Sequence, residues 1–382
     1  MKYAFIFFSL LYAGFPAFSS EFNPEPAVKD GIPAGSEFYL VTSTDRDFMG
    51  KLENVSDIAY DQGRTRLIRL KIPYEALSPE LKAGLKRTER GEAHNYRVSL
   101  KTGELPKPEV QRLVSGVSAE SIMKYAGKLV YAGKRSSSQL DVKKGSGNKL
   151  AMDAVEEAFK SLGYAVEKNC YRDRKYDKEC NISGLKSSGS PEAGIILIIA
   201  HLDSVGHENA GADDNASGVG GLLEMARVLA GFKSDHELLF VASNGEETGI
   251  AGGYAYVKKL KASGTLGRVK YVINMDMIGW NKDGIVELET DKEFLEHADW
   301  VGVQAYLYTK LKPYVASPAW GSDHVPFLEE GIPTYLSIEH WETHSPCYHQ
   351  ACDQMEGLAW DYAAEIVKLN LAVIAGKTKL EI

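Results

Sequence analysis

The stretch Gly194–Ala200 (GIILIIA) narrows the fold more than any other part of this 382-residue chain. A continuous, largely β-branched apolar run with no polar alternation suits a strand covered on both faces. Such strands belong to parallel sheets flanked by helices. Glu237–Ser243 (ELLFVAS) is a second run of this kind, and Arg268–Met275 reads as a third. Helical spacing lies between them. Asn148–Leu162 sets Leu150, Met152, Val155, Ala158, Phe159 and Leu162 at helical spacing before Gly163 ends it. Gly220–Leu229 groups Leu222, Met225, Ala226 and Leu229, and Ser118 opens a further helix as an N-cap. The alternation predicts an α/β fold: a three-layer sandwich around a mostly parallel mixed sheet.

In an open α/β sheet, ligands bind outside the carboxyl ends of the strands. The first run ends in His201-Leu202-Asp203, the second in Asn244-Gly245-Glu246-Glu247, the third in Asp276. A tight loop of small residues, GADDNASG at 211–218, supplies a fourth donor ahead of a helix. One side chain suffices to cap a helix. Two aspartates and an asparagine exceed that need, so one of Asp213 and Asp214 is read as a metal ligand. Histidine and carboxylate together suit zinc, whereas an all-oxygen set suits magnesium or calcium. Two metals sharing a bridging carboxylate bind a common water, lower its pKa and polarise a carbonyl. In the doublet Glu246-Glu247 one carboxylate would then bind metal and the other act as general base. His340, His344 and His349 are the late candidates, and spacing does not choose among them.

The N-terminal third reads differently. Lys2, the apolar Ala4–Phe15 and Ala17-Phe18-Ser19 form a signal-peptide pattern over 1–19, which predicts a secreted or periplasmic protein. No cysteine follows for a lipid anchor, so no membrane anchor is expected. Residues 20–115 read as a small α+β unit, a propeptide or accessory domain. It has strands at Phe38–Thr42 and Thr65–Ile72, a helix start at Ser78-Pro79-Glu80, and a linker at 103–108. The catalytic unit would be 116–382, and a monomer is expected. A net charge of −8 argues against a nucleic-acid partner. The cysteines fall as two local pairs, Cys170 with Cys180 and Cys347 with Cys352, neither of them C-x-x-C. In an oxidising compartment they read as two short-loop disulfides.

Taken in order, His201-x-Asp203, the 211–218 loop, Glu246-Glu247, Asn274–Gly279 and Ser322-Asp323-His324 resemble the signature set of the co-catalytic zinc aminopeptidases. That family includes bacterial leucyl aminopeptidase and glutamate carboxypeptidase II. The resemblance implies the phosphorylase/hydrolase-like sandwich of zinc exopeptidases and two zinc ions. His201 and His349 would each bind one zinc, with Asp214 bridging, Glu247 and Asp276 completing the ligands and Glu246 as base. Asp203 would orient His201. Tyr348-His349 followed by Asp353 is similar to the family's Y-H-x-x-x-D pattern, which selects His349. Tyr348 and the loop of Ser322, Asp323 and His324 would face the substrate, a peptide with a free N-terminus. One position departs from the family. Ala319 stands where the secreted leucyl enzymes carry a tyrosine that stabilises the oxyanion. The segment between Glu247 and Asp276 is too short for the dimerisation insert of related zinc deacylases. The implied activity is removal of N-terminal residues from peptides. Its rivals are a zinc carboxypeptidase, a single-zinc glutaminyl cyclase and a non-catalytic receptor-like domain.

Overall fold

Every side chain from Ile195 to His201 is buried, and the two faces of that strand enter different cores. Ile196, Ile198 and Ala200 join the larger core with Leu222, Met225, Phe159 and Ile366. Ile195, Leu197 and Ile199 join a second core with Tyr256, Leu260 and Phe327. Glu237–Ser243 divides in the same way, Phe240 to one side and Val241 to the other. Burying an isoleucine fully is worth roughly 1.5–3 kcal/mol, so these strands hold both helical layers to the sheet.

The protein is described here as a computed structural model, covering residues 38–381 apart from 43–45, 62–64, 73–75, 79–80, 82–85, 89–94, 100–103, 137–145, 173–178, 191 and 206–209. The expected signal peptide lies outside the described residues, as do most of the Ser78-Pro79-Glu80 helix start and part of the 103–108 linker. Along the chain the strands are β1 (Phe38–Thr42), β2 (Ser56–Asp61), β3 (Thr65–Leu70), β4 (Lys86–Thr88), β5 (Tyr96–Arg97), β6 (Ala165–Tyr171), β7 (Glu179–Lys186) and β8 (Ile195–His201). They continue with β9 (Lys233–Ser234), β10 (Glu237–Ser243), β11 (Val269–Met275), β12 (Ile285–Glu289), β13 (Lys312–Ala316), β14 (Thr334–Glu339) and β15 (Leu380–Glu381).

The main sheet is mixed and has nine strands, in the order β5-β13-β12-β14-β11-β8-β10-β7-β6. At its centre β14, β11, β8 and β10 run parallel. A second parallel pair, β12 and β13, joins antiparallel to β14, and antiparallel strands close both edges. Helices Ala119–Tyr131, Gly147–Ser161, Gly218–Leu229, Leu295–Tyr308 and Trp360–Lys377 supply the larger core, and Ala251–Ala262 covers the opposite face. The α/β sandwich read from the sequence is the fold observed.

β1 to β4 form a separate antiparallel sheet, order β2-β3-β1-β4, with its own core of Tyr39, Val41, Leu52 and Ile68. The larger unit's core reaches back to Val98, Val110, Leu113 and Val114, ahead of residue 116. Both expected disulfides are present: Cys170–Cys180 links β6 to β7 across directly paired positions, and Cys347–Cys352 closes a short loop. Among the described residues no helix is long and apolar enough to cross a membrane.

Candidate metal centre

Parallel strands side by side end at one sheet edge, and this brings distant residues together. His201 closes β8, Glu246 and Glu247 follow β10, and Asp276 follows β11. Asp214 arrives from the turn Ala212–Ser217, which runs into the helix Gly218–Leu229. These five side chains are almost completely buried. His349, from the loop after β14, is the most open of the group at 19%.

Asp214 sits between the two histidines. Its Oδ1 lies 3.2 Å from His201 Nε2, and its Oδ2 lies 3.1 Å from His349 Nε2. Asp276 Oδ1 approaches His201 Nε2 at 3.2 Å, and Glu247 Oε2 approaches His349 Nε2 at 3.3 Å. The result is two groups, each of one histidine and one private carboxylate, that share Asp214. Glu246 belongs to a third grouping with His201 and Glu247. Neither His340 nor His344 enters any of them: His340 Nδ1 pairs with Asp283 at 2.7 Å, and His344 stacks on Trp341.

The electrostatics fit a cation. Burial works against a charged His201, yet Asp276, Glu246, Asp203 and Asp214 push its pKa well above the usual value. Burial likewise opposes a charge on His349, and Glu247 and Asp214 raise it to about 10. Burial would raise Asp214, but the two histidines hold it well below the ordinary carboxylate range. The same carboxylates that favour a proton on each imidazole favour a metal cation there. A divalent ion would take the place of those protons, and imidazole with carboxylate is a zinc donor set.

The supporting residues make contacts that the sequence did not specify. His201 Nδ1 donates to the backbone carbonyl of Asp203 at 3.1 Å, with the Asp203 carboxylate Oδ1 3.6 Å from the same nitrogen. The Asp203 carboxylate also accepts the N–H groups of Gly245, Glu246 and Glu247 at 2.9, 3.1 and 3.2 Å, fixing the turn that carries the glutamates. Ser322, Asp323 and His324, expected at the substrate, are fully buried, as are His201, Asp214, Glu247 and Asp276. Ser322 Oγ donates to Asp276 Oδ2 at 2.7 Å and accepts from Asn274 Nδ2 at 2.9 Å. Asp323 receives Ser243 Oγ, and His324 Nε2 meets Glu289 at 3.1 Å. These contacts tie the 322–324 segment to Asp276, Ser243 and Glu289. Tyr348 is half-buried and stacks on the ring of His349.

In the 211–218 loop the work is divided among neighbours. Asn215 Oδ1 caps the helix by accepting Gly218 N–H, and Asp213 Oδ1 accepts Gly279 N–H at 2.7 Å. Asp214 alone is left to face the histidines. Gly218 is required by closeness, since a Cβ there would lie 2.5 Å from the carbonyl oxygen of Met275.

The family model of peptidase family M28 matches residues 181–374, just over half of the chain. The chain belongs to peptidase family M28. It is 31% identical over 210 residues to Aminopeptidase YwaD of Bacillus subtilis, across 53% of this chain and 45% of that one. It thus spans about half the length of such curated relatives. In fold it is similar to LapB from Legionella pneumophila, with a TM-score of 0.66 and 19% identity, over 89% of this chain and 98% of that one. Porphyromonas gingivalis glutaminyl cyclase shares the fold at a TM-score of 0.57 and 22% identity, over 69% of this chain and 99% of that one.

Two residues of this M28 site had no role assigned from the sequence. Asn274, inside β11, is spent on Ser322. Arg135 is the one fully buried lysine or arginine among the described residues, and it lies behind the site. In this M28 chain Ala319 is buried, its N–H donating to Asp291 Oδ1 at 3.1 Å.

Proposed function

We propose that the chain is a zinc-dependent aminopeptidase that removes N-terminal residues from peptides outside the cytoplasm. One observation carries the reading: two histidine–carboxylate groups share Asp214 through its separate oxygens. That pattern fits a pair of cations held by His201, Asp276 and Asp214 on one side and by His349, Glu247 and Asp214 on the other. Two zinc ions bound there would lower the pKa of a water and polarise the scissile carbonyl. Glu246 is the base: its carboxylate takes the proton from the attacking water and returns it to the leaving amine. The turn fixed by Asp203 sets the position of Glu246. M28 membership and the named aminopeptidase relative support the same activity.

The test is a panel of aminoacyl chromogenic substrates beside N-blocked controls, with and without a chelator, on the wild type and on Glu246→Gln. Cleavage confined to free-amine substrates, abolished by chelator and lost in the variant, is the expected result. Equal cleavage of blocked substrates refutes the aminopeptidase reading, and full activity in Glu246→Gln refutes the base.

A further inference from the structure

Arg135 reaches the site from outside the family signature, just beyond the helix Ala119–Tyr131. Its guanidinium is completely buried and makes three hydrogen bonds to backbone carbonyls. Nε donates to Leu202 O at 2.7 Å, Nη1 to Ala210 O at 3.0 Å and Nη2 to Gly211 O at 2.7 Å. Leu202 directly follows His201, and Gly211 opens the turn that carries Asp214. The main chain adds a fourth tie, as Ser204 N–H donates to Arg135 O at 3.1 Å. Gly211 has a left-handed backbone, φ 62°, and a Cβ there would lie 2.8 Å from Arg135 Nη2. Burial lowers the pKa of the guanidinium to about 10, against the opposing pull of the carboxylates of Asp353, Asp203 and Asp214.

We infer that Arg135 is a positioning residue for the metal site, fixing the separation of His201 and Asp214 by joining the segments that follow one and precede the other. A guanidinium presents its donors in a rigid fork and can serve carbonyls in several directions at once. The lysine ammonium gathers its donors on one atom and cannot span them. Arg135 itself touches no substrate. The inference rests on His201 and Asp214 being ligands, as the proposed function holds.

Full-length wild type, Arg135→Lys and Arg135→Met would be stripped of metal and titrated with zinc against a chelating dye, with far-UV circular dichroism as the check on folding. Cobalt(II) spectra would report ligand geometry. Both variants are expected to stay folded and to lose roughly 10–100-fold in zinc affinity, the range for residues that orient metal ligands. The cobalt spectrum of Arg135→Lys should differ from wild type. Zinc affinity within about twofold of wild type in either folded variant overturns the inference. Failure of both to fold with zinc supplied also overturns it, because the guanidinium would then serve the core at large. Wild type that binds no zinc refutes the ligand assignment instead.

Discussion

Asp353 holds the main chain of Asp214: its Oδ2 accepts that residue's N–H at 3.1 Å. Its Oδ1 takes the N–H of Asp213 at 2.7 Å. Asp353 lies four residues beyond His349, so the loop bearing one histidine also fixes the residue proposed to bridge both metals. Asparagine would offer one acceptor and turn an amide N–H₂ toward the second backbone N–H. Asp353→Asn is therefore expected to weaken zinc binding about 10–100-fold with the fold retained. Zinc titration beside circular dichroism checks this, and unchanged affinity would contradict it.

Asp203 serves the glutamate turn in a similar way, with one carboxylate accepting three successive amides. Asp203→Asn should lower kcat more than it raises KM, because Glu246 loses its fixed position while the substrate-binding walls remain. A loss of roughly tenfold or more in kcat is expected. Steady-state kinetics on zinc-loaded protein decides it, and a change confined to KM would count against this role.

The Cys347–Cys352 bond closes the loop that carries Tyr348 and His349. Replacing both cysteines by serine should cost about 2 kcal/mol of stability, the loop-entropy value for so short a closure. Zinc affinity should fall as well, because His349 then pays its ordering entropy on binding. The same change at Cys170 and Cys180, which pair within β6–β7, should lower stability and leave zinc affinity alone. Equal zinc affinity in both double variants would sink the distinction.

A pH dependence follows from Glu287 in β12. Burial first, then the charge of Glu289, push its pKa up to about 8, against the N–H it accepts from Trp341. Its folded pKa exceeds the unfolded value, so the folded state binds the extra proton between pH 4.5 and 8. That contribution is complete below the unfolded pKa and is lost as pH rises through 8. Glu287→Gln cannot ionise, so its stability should fall less than wild type across that window. Urea midpoints at several pH values measure it, and parallel profiles for the two proteins would exclude Glu287 as the cause.

The sequence disclosed the sheet edge well, and the reason is physical. A strand buried on both faces must be apolar throughout, so β8 and β10 announce themselves and their ends mark the crevice. The surplus of polar side chains at 213–215 was also legible, although the choice of Asp214 over Asp213 came from the family resemblance. Other parts leave no local trace. A carboxylate that accepts backbone amides looks like any other carboxylate, so the sequence points Asp203 at the ring of His201 and leaves its three bonds to the Glu246 turn unread. Ser322, Asp323 and His324 look like exposed polar residues, and only the packing shows them bracing Asp276, Ser243 and Glu289. Arg135 sits among serines and lysines at 134–143 with no periodic partner, and its targets are carbonyls that carry no side-chain signature.

The central claim is that Asp214 is shared by two cations, and counting zinc tests it most directly. Metal-stripped full-length protein titrated with zinc should bind about two ions per chain, with Asp214→Ala losing high affinity at both positions together. Saturation at about one ion per chain in the wild type, or an Asp214→Ala protein that keeps both, would contradict it.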